Sequence, residues 1–342
     1  MKEIGVLMIG LGNVGQGFLK ILQQDLTQLQ KQNSVNISVV GISDIRYGNF
    51  YKQNGFTSTE LLSALDSNDL TQFNKFKVEG STEDWIRRSK ADFLIEASFT
   101  NFTDAEPALS YMKAALESGK NIATSNKGPI ALFYQDLKTI ADMNGLHIGV
   151  EGTVMSGTPS MALGMHILKA AGITKIQGIL NGTTNFILTQ METGKTYADA
   201  LTQAKILGFA EADPTGDVEG FDAAGKVVIL GNLVMGQPIS FSDVDRKGIS
   251  NITLQDVEHA LEDNKRWKLI GTLELVDGKI SASVKPMLLP TEHPLANVGG
   301  ATNAITFTSR HMGNVTLIGA GAGRIETGYA LLSDILAITK SN

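Results

Sequence analysis

The 342-residue sequence contains no cysteine. That absence excludes disulfides, thiolate metal ligands and a thiol nucleophile together. Long apolar runs are missing as well, and nothing approaches the roughly 18 residues of a membrane span. The apolar part of the N-terminus, Ile4–Ile9, is too short for a signal peptide and reads as a strand, so the cytoplasm is the expected compartment. Lys and Arg nowhere cluster into a nucleic-acid footprint, and the formal net charge of −6 mainly supports solubility. His147, His166, His259, His293 and His311 are scattered without metal-ligand spacing. Internal repeats and low-complexity linkers are absent too. A composition of 42% hydrophobic and 19% charged residues is globular and excludes disorder.

What is present is alternation. Apolar runs at 4–9, 35–42, 91–97 and 121–124 read as buried strands, with helical spacing over 13–31 and 106–118. Such alternation predicts an α/β fold with an N-terminal Rossmann domain, a doubly wound parallel sheet. One more strand, 147–150, precedes a change of texture. A Gly/Ser/Thr/Pro-rich loop (151–159), a helix (160–171) and a strand (175–180) follow. Helices are expected at 185–193, 197–207 and 221–235, and strands at 267–276, 280–287, 304–307 and 314–318. The glycine-rich run 319–323 leads into a last helix over 324–339. The expected division is a dinucleotide-binding domain over 1–149 and an α+β domain over 150–323, with the terminal segment 324–342 packed back on the first. Trp267 is expected in the core.

Gly10-Leu11-Gly12-Asn13-Val14-Gly15 has G-x-G-x-x-G spacing between a strand and a helix. That context matters, because glycine triples arise by chance in a chain with 36 glycines. The first glycine permits the tight turn, the second admits the pyrophosphate and the third lets helix and strand pack closely. The helix N-terminus then favours the phosphate charge. Asp44, at the end of the second strand, is placed to accept hydrogen bonds from the adenosine ribose, which favours NAD; Arg46 nearby could instead admit NADP.

The second half carries Glu211, Asp213, Asp217, Glu219 and Asp222 with no Lys or Arg among them. Such a loop repels itself unless a cation is present, so an ammonium ligand or a metal ion fits it; a solvated surface loop is the plain alternative. Asp222 and Lys226 lie four apart and share one helix face. A surface pair there would contribute only about 0.3–0.5 kcal/mol. This face continues with Ile229, Leu230 and Leu233, so the pair is expected to be partly buried, and buried charges need a reason. A desolvated lysine can transfer protons near neutrality, although the adjacent carboxylate opposes the lowering of its pKa.

At these residues the chain resembles the homoserine dehydrogenase family. The most specific stretches are Asn181-Gly182-Thr183-Thr184-Asn185-Phe186-Ile187-Leu188 and Gly208-Phe209-Ala210-Glu211-Ala212-Asp213-Pro214-Thr215, continuing through Asp217, Gly220, Asp222 and Lys226. Ala123–Lys127, Glu151–Val154 and the terminal Gly-Ala-Gly-Ala-Gly support it. The resemblance implies NAD(P)-dependent interconversion of L-aspartate 4-semialdehyde and L-homoserine. It makes Lys226 the general acid, with Asp222 orienting it and helping to hold the substrate. Glu211 and Asp217 would bind the substrate's ammonium, and Lys127 would be a second proton-transfer residue touching substrate and cofactor. Ser98 would face the nicotinamide ribose and Gly323 the cofactor. Glu151, Val154, Ser156 and Thr158 would hold Na⁺ or K⁺, mostly through backbone carbonyls.

The resemblance further implies a homodimer formed through β-structure of the second half. Phe209 stands where the family often has tyrosine. No regulatory domain is expected after the last helix, so threonine feedback is not expected either. Aspartate-semialdehyde dehydrogenase, which needs a cysteine, is excluded. A Rossmann dehydrogenase for another amino acid would be separated by substrate profiling. A non-catalytic dinucleotide sensor would have no use for the Asp222–Lys226 pair.

Overall fold

Lys2–Ile9 forms the first strand, β1, in a computed structural model that describes residues 1–341. It is followed by α1 (Asn13–Asn33), β2 (Val35–Asp44), β3 (Gly48–Phe56), α2 (Ser58–Asp66), β4 (Lys77–Val78) and α3 (Thr82–Arg88). Then come β5 (Phe93–Glu96), α4 (Ala108–Glu117), β6 (Asn121–Thr124), α5 (Lys127–Met143) and β7 (Ile148–Gly149). The strands form one sheet in the order β4-β3-β2-β1-β5-β6-β7. Its centre, β2-β1-β5-β6-β7, is parallel as the sequence predicts, with Val6, Leu7 and Met8 of β1 fully buried.

Its edge is not parallel: β3 runs antiparallel to β2, and β4 antiparallel to β3. Residues 48–56 contain mostly polar side chains and glycines, so no apolar run announced this strand. Helix α5 also went unpredicted. Gly128-Pro129 looks like a break, but proline is tolerated in a first helical turn, where its missing N–H would have no partner.

Contacts divide the chain into two compact units: Met1–Gly157 together with the chain from Gly323 onward, and Thr158–Ala322. The loop 150–157, expected in the second domain, thus belongs to the first unit. So does the C-terminal helix Arg324–Ser341, which packs on α1. Glycines permit that approach. A Cβ on Gly17 would lie 1.7 Å from the Arg324 carbonyl oxygen, and one on Gly328 would lie 2.4 Å from the Phe18 nitrogen.

The second unit contains α6 (Ser160–Ala162), β8 (Ile173–Ile179), α7 (Gly182–Met191), α8 (Tyr197–Ile206), α9 (Thr215–Val218), α10 (Phe221–Leu233), β9 (Val244–Arg246) and α11 (Leu254–Glu262). Strands β10 (Lys265–Val276), β11 (Lys279–Pro290), β12 (Thr302–Ser309) and β13 (Gly313–Ala320) complete it. The sheet order is β13-β12-β8-β10-β11-β9, antiparallel except for the β9–β11 pair. The predicted helix over 160–171 is broken: α6 passes into a π-turn at Leu163–Ile167 and a 3₁₀ turn at Lys169–Ala171. Gly164 lies against Val234 and Phe307 there, so packing sets the local path. Trp267 is only partly buried, whereas its neighbour Lys268 is 1% exposed. The Lys268 ammonium donates to Asn185 Oδ1 at 3.2 Å and the Val298 carbonyl at 2.9 Å, a buried tie that anchors α7. No helix among the described residues is long and apolar enough to cross a membrane.

Candidate active site

In the first unit, Gly10 has φ +91°, and a Cβ on it would lie 2.5 Å from the Ala97 carbonyl oxygen. A Cβ on Gly15 would lie 2.3 Å from the Gly10 carbonyl oxygen, so both glycines are required for the turn. A Cβ on Gly12 would meet nothing within 4 Å. The turn therefore needs no glycine there; a phosphate approaching the backbone does. No side chain caps α1, which leaves its leading N–H groups, beginning at Asn13 and Val14, pointing at that space. Arg324 also reaches it, donating to Asn13 Oδ1 at 2.8 Å beside Gly323. These features fit a dinucleotide pyrophosphate. Nothing local in the sequence points to Arg324, because only the return of the C-terminal helix brings it here.

Asp44 Oδ2 accepts from the Leu11 N–H at 2.9 Å and from Arg46 Nη2 at 3.1 Å. Its Oδ1 accepts from Arg46 Nε at 2.8 Å and from the Arg46 N–H at 3.0 Å. Burial pushes this carboxyl up, but the Arg46 and Leu11 donors outweigh it and hold it below the usual range. The guanidinium stays half-exposed over the Tyr47 ring.

Ser98 donates its hydroxyl to the buried Glu96. Asn126 caps α5, accepting from the Gly128 N–H at 3.1 Å, and so places Lys127 as the first residue of that helix. In the 151–157 loop Glu151, Val154 and Ser156 are buried, and Met155 and Ser156 are both left-handed, at φ +60° and +55°. The Ser156 and Thr327 hydroxyls are 2.7 Å apart. The Glu151 N–H donates to Asp334 Oδ2 at 3.0 Å. Burial, then the Glu151 charge, pushes the Asp334 carboxyl well above its usual range. Thr158 falls in the second unit, where its hydroxyl donates to the Ala320 carbonyl. No cluster of three or more His, Asp or Glu ligands occurs among the described residues.

In the second unit α10 begins after Gly220 (φ +79°) and buries every residue from Ala223 to Gly231, Lys226 included. The Lys226 ammonium, on a side chain only 8% exposed, donates to the Leu180 carbonyl at 2.6 Å and to Asp222 Oδ2 at 2.8 Å. Asn181 caps α7, a role its place in the motif does not reveal. Its single amide nitrogen donates to Asp217 Oδ1 at 2.7 Å and to Asp222 Oδ2 at 3.0 Å. A neutral amide thus holds two carboxylates together without cancelling their charge. Burial, then the Asp222 charge, pushes Asp217 up against the pull of Asn181 and Lys226.

Two of the remaining acidic residues of the loop are spent locally. Asp213 accepts from Thr215, and Glu219 from Ser250, while Arg246 holds the Glu219 carbonyl. Glu211 is exposed and makes no hydrogen bond or ion pair among the described residues. The Phe209 ring packs against Phe186 in a tilted arrangement, with ring centroids 4.9 Å apart. The arrangement joins a buried lysine ammonium with two carboxylates, Asp217 and Asp222, through Asn181, which suits a substrate carrying an ammonium and a reducible oxygen; no contact brings Glu211 to this cluster among the described residues.

Residues 159–336 match the family model described as homoserine dehydrogenase. The NAD(+)-dependent homoserine dehydrogenase of Pseudomonas canavaninivorans is 44% identical over 343 aligned positions, covering 100% of this chain and 97% of that protein. The homoserine dehydrogenase of Sulfurisphaera tokodaii is 35% identical, covering 98% of both. Among solved structures, a homoserine dehydrogenase from Thiobacillus denitrificans superposes with a TM-score of 0.86 at 32% identity, over 99% of this chain and 74% of that one. A hyperthermophilic archaeal homoserine dehydrogenase mutant in complex with NADPH gives 0.85 at 31%, over 99% and 98%. The chain therefore belongs to the homoserine dehydrogenase family of NAD(P)-dependent oxidoreductases.

Proposed function

We propose that the chain interconverts L-aspartate 4-semialdehyde and L-homoserine, on the route to threonine, methionine and isoleucine, with Lys226 as the proton donor and acceptor. The observation that carries this reading is the Lys226 ammonium itself. Two of its three N–H groups are fixed by Leu180 and Asp222, which among the described residues leaves one to offer. Bound dinucleotide supplies or takes the hydride. The remaining tasks fall to the chain. Lys226 protonates the carbonyl oxygen as it becomes an alkoxide, or accepts the hydroxyl proton in reverse. Asp222 keeps the ammonium aimed. Asp217 and Glu211 hold the substrate ammonium, and Lys127 is the second candidate for proton transfer. The assay is NADH formation from L-homoserine at alkaline pH; dinucleotide binding without turnover of either substrate would reject the assignment.

NAD is the proposed cofactor. Support comes from Asp44, a buried carboxylate that a ribose hydroxyl can approach and a 2′-phosphate cannot. Arg46 is the group that could relax this preference. Replacing Arg46 with Ala is expected to raise the NAD-to-NADP ratio of kcat/KM about tenfold by removing the cation paired with Asp44. Asp44→Ala should lower it by a similar factor. Parallel steady-state kinetics with both dinucleotides decide, and an unchanged ratio in both variants would remove the role given to this pair.

Glu151, Val154 and Ser156 are proposed to hold Na⁺ or K⁺, with Thr158 as a fourth candidate. The buried Glu151 carboxylate and the left-handed turn supply oxygens of the hard type such ions prefer. Full activity in tetramethylammonium salts would remove the ion. A homodimer is proposed through the second sheet, where edge strand β13 exposes Ile318 at 56%. Light scattering should give about twice 36.6 kDa, and Ile318→Lys should shift the species toward monomer at micromolar dilution. A fully active wild-type monomer would overturn this.

A further inference from the structure

Glu96 ends β5 and has no part in the chemistry above. Its side chain is 0% exposed. Strand register sets it beside Ile9, the last residue before the glycine turn, and beside Thr124 at the end of β6. It therefore stands at the carboxyl edge of the parallel sheet, where open α/β sheets receive ligands.

Its two oxygens differ. Oε1 accepts from the Ser98 N–H at 2.9 Å, from the Ser98 hydroxyl, and from Asn126 Nδ2 at 3.4 Å. Oε2 is buried and has no hydrogen-bond partner among the described residues. A buried carboxyl with one oxygen left without a partner costs stability. Burial pushes it up to about 7, against the Ser98 and Asn126 donors. Its neighbours in register, Ile9 and Thr124, are uncharged. On α4 the Tyr111 phenol feels it, but burial, assisted by the charges of Glu83, Glu96 and Glu106, keeps that phenol protonated through neutrality.

The same donors join two loops. Asn126 Nδ2 also reaches the Phe99 carbonyl at 2.9 Å, while Asn126 Oδ1 caps α5. The Thr124 hydroxyl donates to the Glu96 carbonyl at 3.0 Å. Glu96 is thus the joint between the Ser98 turn and the helix that starts at Lys127.

We propose that Glu96 is a positioning residue of the dinucleotide site: its carboxylate draws the Ser98 proton inward, so that Ser98 Oγ offers only lone pairs to a donor group of the ligand, while Asn126 locks the start of α5. The inference rests on the reading of Ser98 as a dinucleotide contact. Protonation of Glu96 removes the charge that gathers these donors and frees the Ser98 hydroxyl to turn. Asp44 stays ionised over the same range, so it does not mimic the effect.

NADH fluorescence titrations of the full chain from about pH 6 to pH 8.5 test this, with wild type, Glu96→Gln, Glu96→Ala and Ser98→Ala. The wild-type Kd should rise about tenfold as pH falls through neutrality, the scale of a lost charge-assisted hydrogen bond. Glu96→Gln keeps an acceptor but cannot ionise; it should be flat with pH and match the wild type's low-pH affinity. Glu96→Ala should bind about tenfold more weakly than Glu96→Gln at every pH. Ser98→Ala should also lose the pH slope. A flat wild type, or a Glu96→Gln variant that keeps the slope, would overturn the proposal, because a purely packing role predicts no slope at all. A wild type that binds no NADH at any pH would instead sink the dinucleotide reading on which the proposal rests.

Discussion

Lys226→Ala is expected to lower kcat by about 10³-fold, within the range for loss of a positioned general acid, while NADH still binds the first unit. The expectation follows from geometry. The ammonium sits at the head of a buried helix, fixed by one carbonyl and one carboxylate. Lys226→Arg should not rescue the rate. A planar guanidinium cannot repeat both short contacts, and its proton is held too tightly to leave near neutrality. Removing the lysine takes one ion pair from Asp222, but Asn181 still donates to it and the carboxylate is 22% exposed. The stability cost should therefore stay near 1–2 kcal/mol rather than the 3–5 of a fully buried pair. Stopped-flow hydride transfer, read beside a thermal melt, separates the two effects. A variant that melts like wild type and still turns over at more than about a tenth of its rate would exclude Lys226 as the donor.

How much of this was legible in the sequence depended on how local each cause is. Gly10–Gly15 could be read because a turn, a phosphate cradle and a helix start fall within six residues. Asp222 and Lys226 could be read because helical spacing alone puts them on one face. Asn181 could not be assigned a role. It meets Asp222 across 41 positions of sequence, and only the packing of α7 against the acidic segment makes it a clamp. Glu96 looked like the polar end of a strand, because nothing in Phe-Leu-Ile-Glu announces that Ser98 and Asn126 converge on it. The antiparallel edge β3–β4 was hidden for a different reason. Strands of an antiparallel margin can keep one face in solvent and so need no continuous apolar run, and β4 is only two residues long. Helix α5 was hidden by its own first turn, where Gly128-Pro129 carries a breaker's composition in the place a helix best tolerates it.

Gly17→Ala and Gly12→Ala should have opposite consequences, although both glycines lie at the same end of the chain. Inside a helix, alanine is favoured over glycine by about 1 kcal/mol, and propensity alone predicts that Gly17→Ala stabilises. Space decides otherwise. The new Cβ would stand 1.7 Å from the backbone oxygen of Arg324, and no rotamer relieves a clash between two backbones. The C-terminal helix must move off α1, at an expected cost of about 3 kcal/mol or more and about 10 °C in Tm. That movement also takes Arg324 from Asn13, now 2.8 Å away, so NADH affinity should fall with stability. At Gly12 the backbone is already extended (φ −76°, ψ −157°) and a Cβ would touch nothing. Gly12→Ala should therefore melt within about 0.5 kcal/mol of wild type, yet bind NADH at least about tenfold more weakly, because the methyl occupies the space that the phosphate needs. Melts and NADH titrations of the two variants settle both points. An unshifted Tm for Gly17→Ala would contradict the helix crossing, and wild-type affinity in Gly12→Ala would contradict the placement of the pyrophosphate.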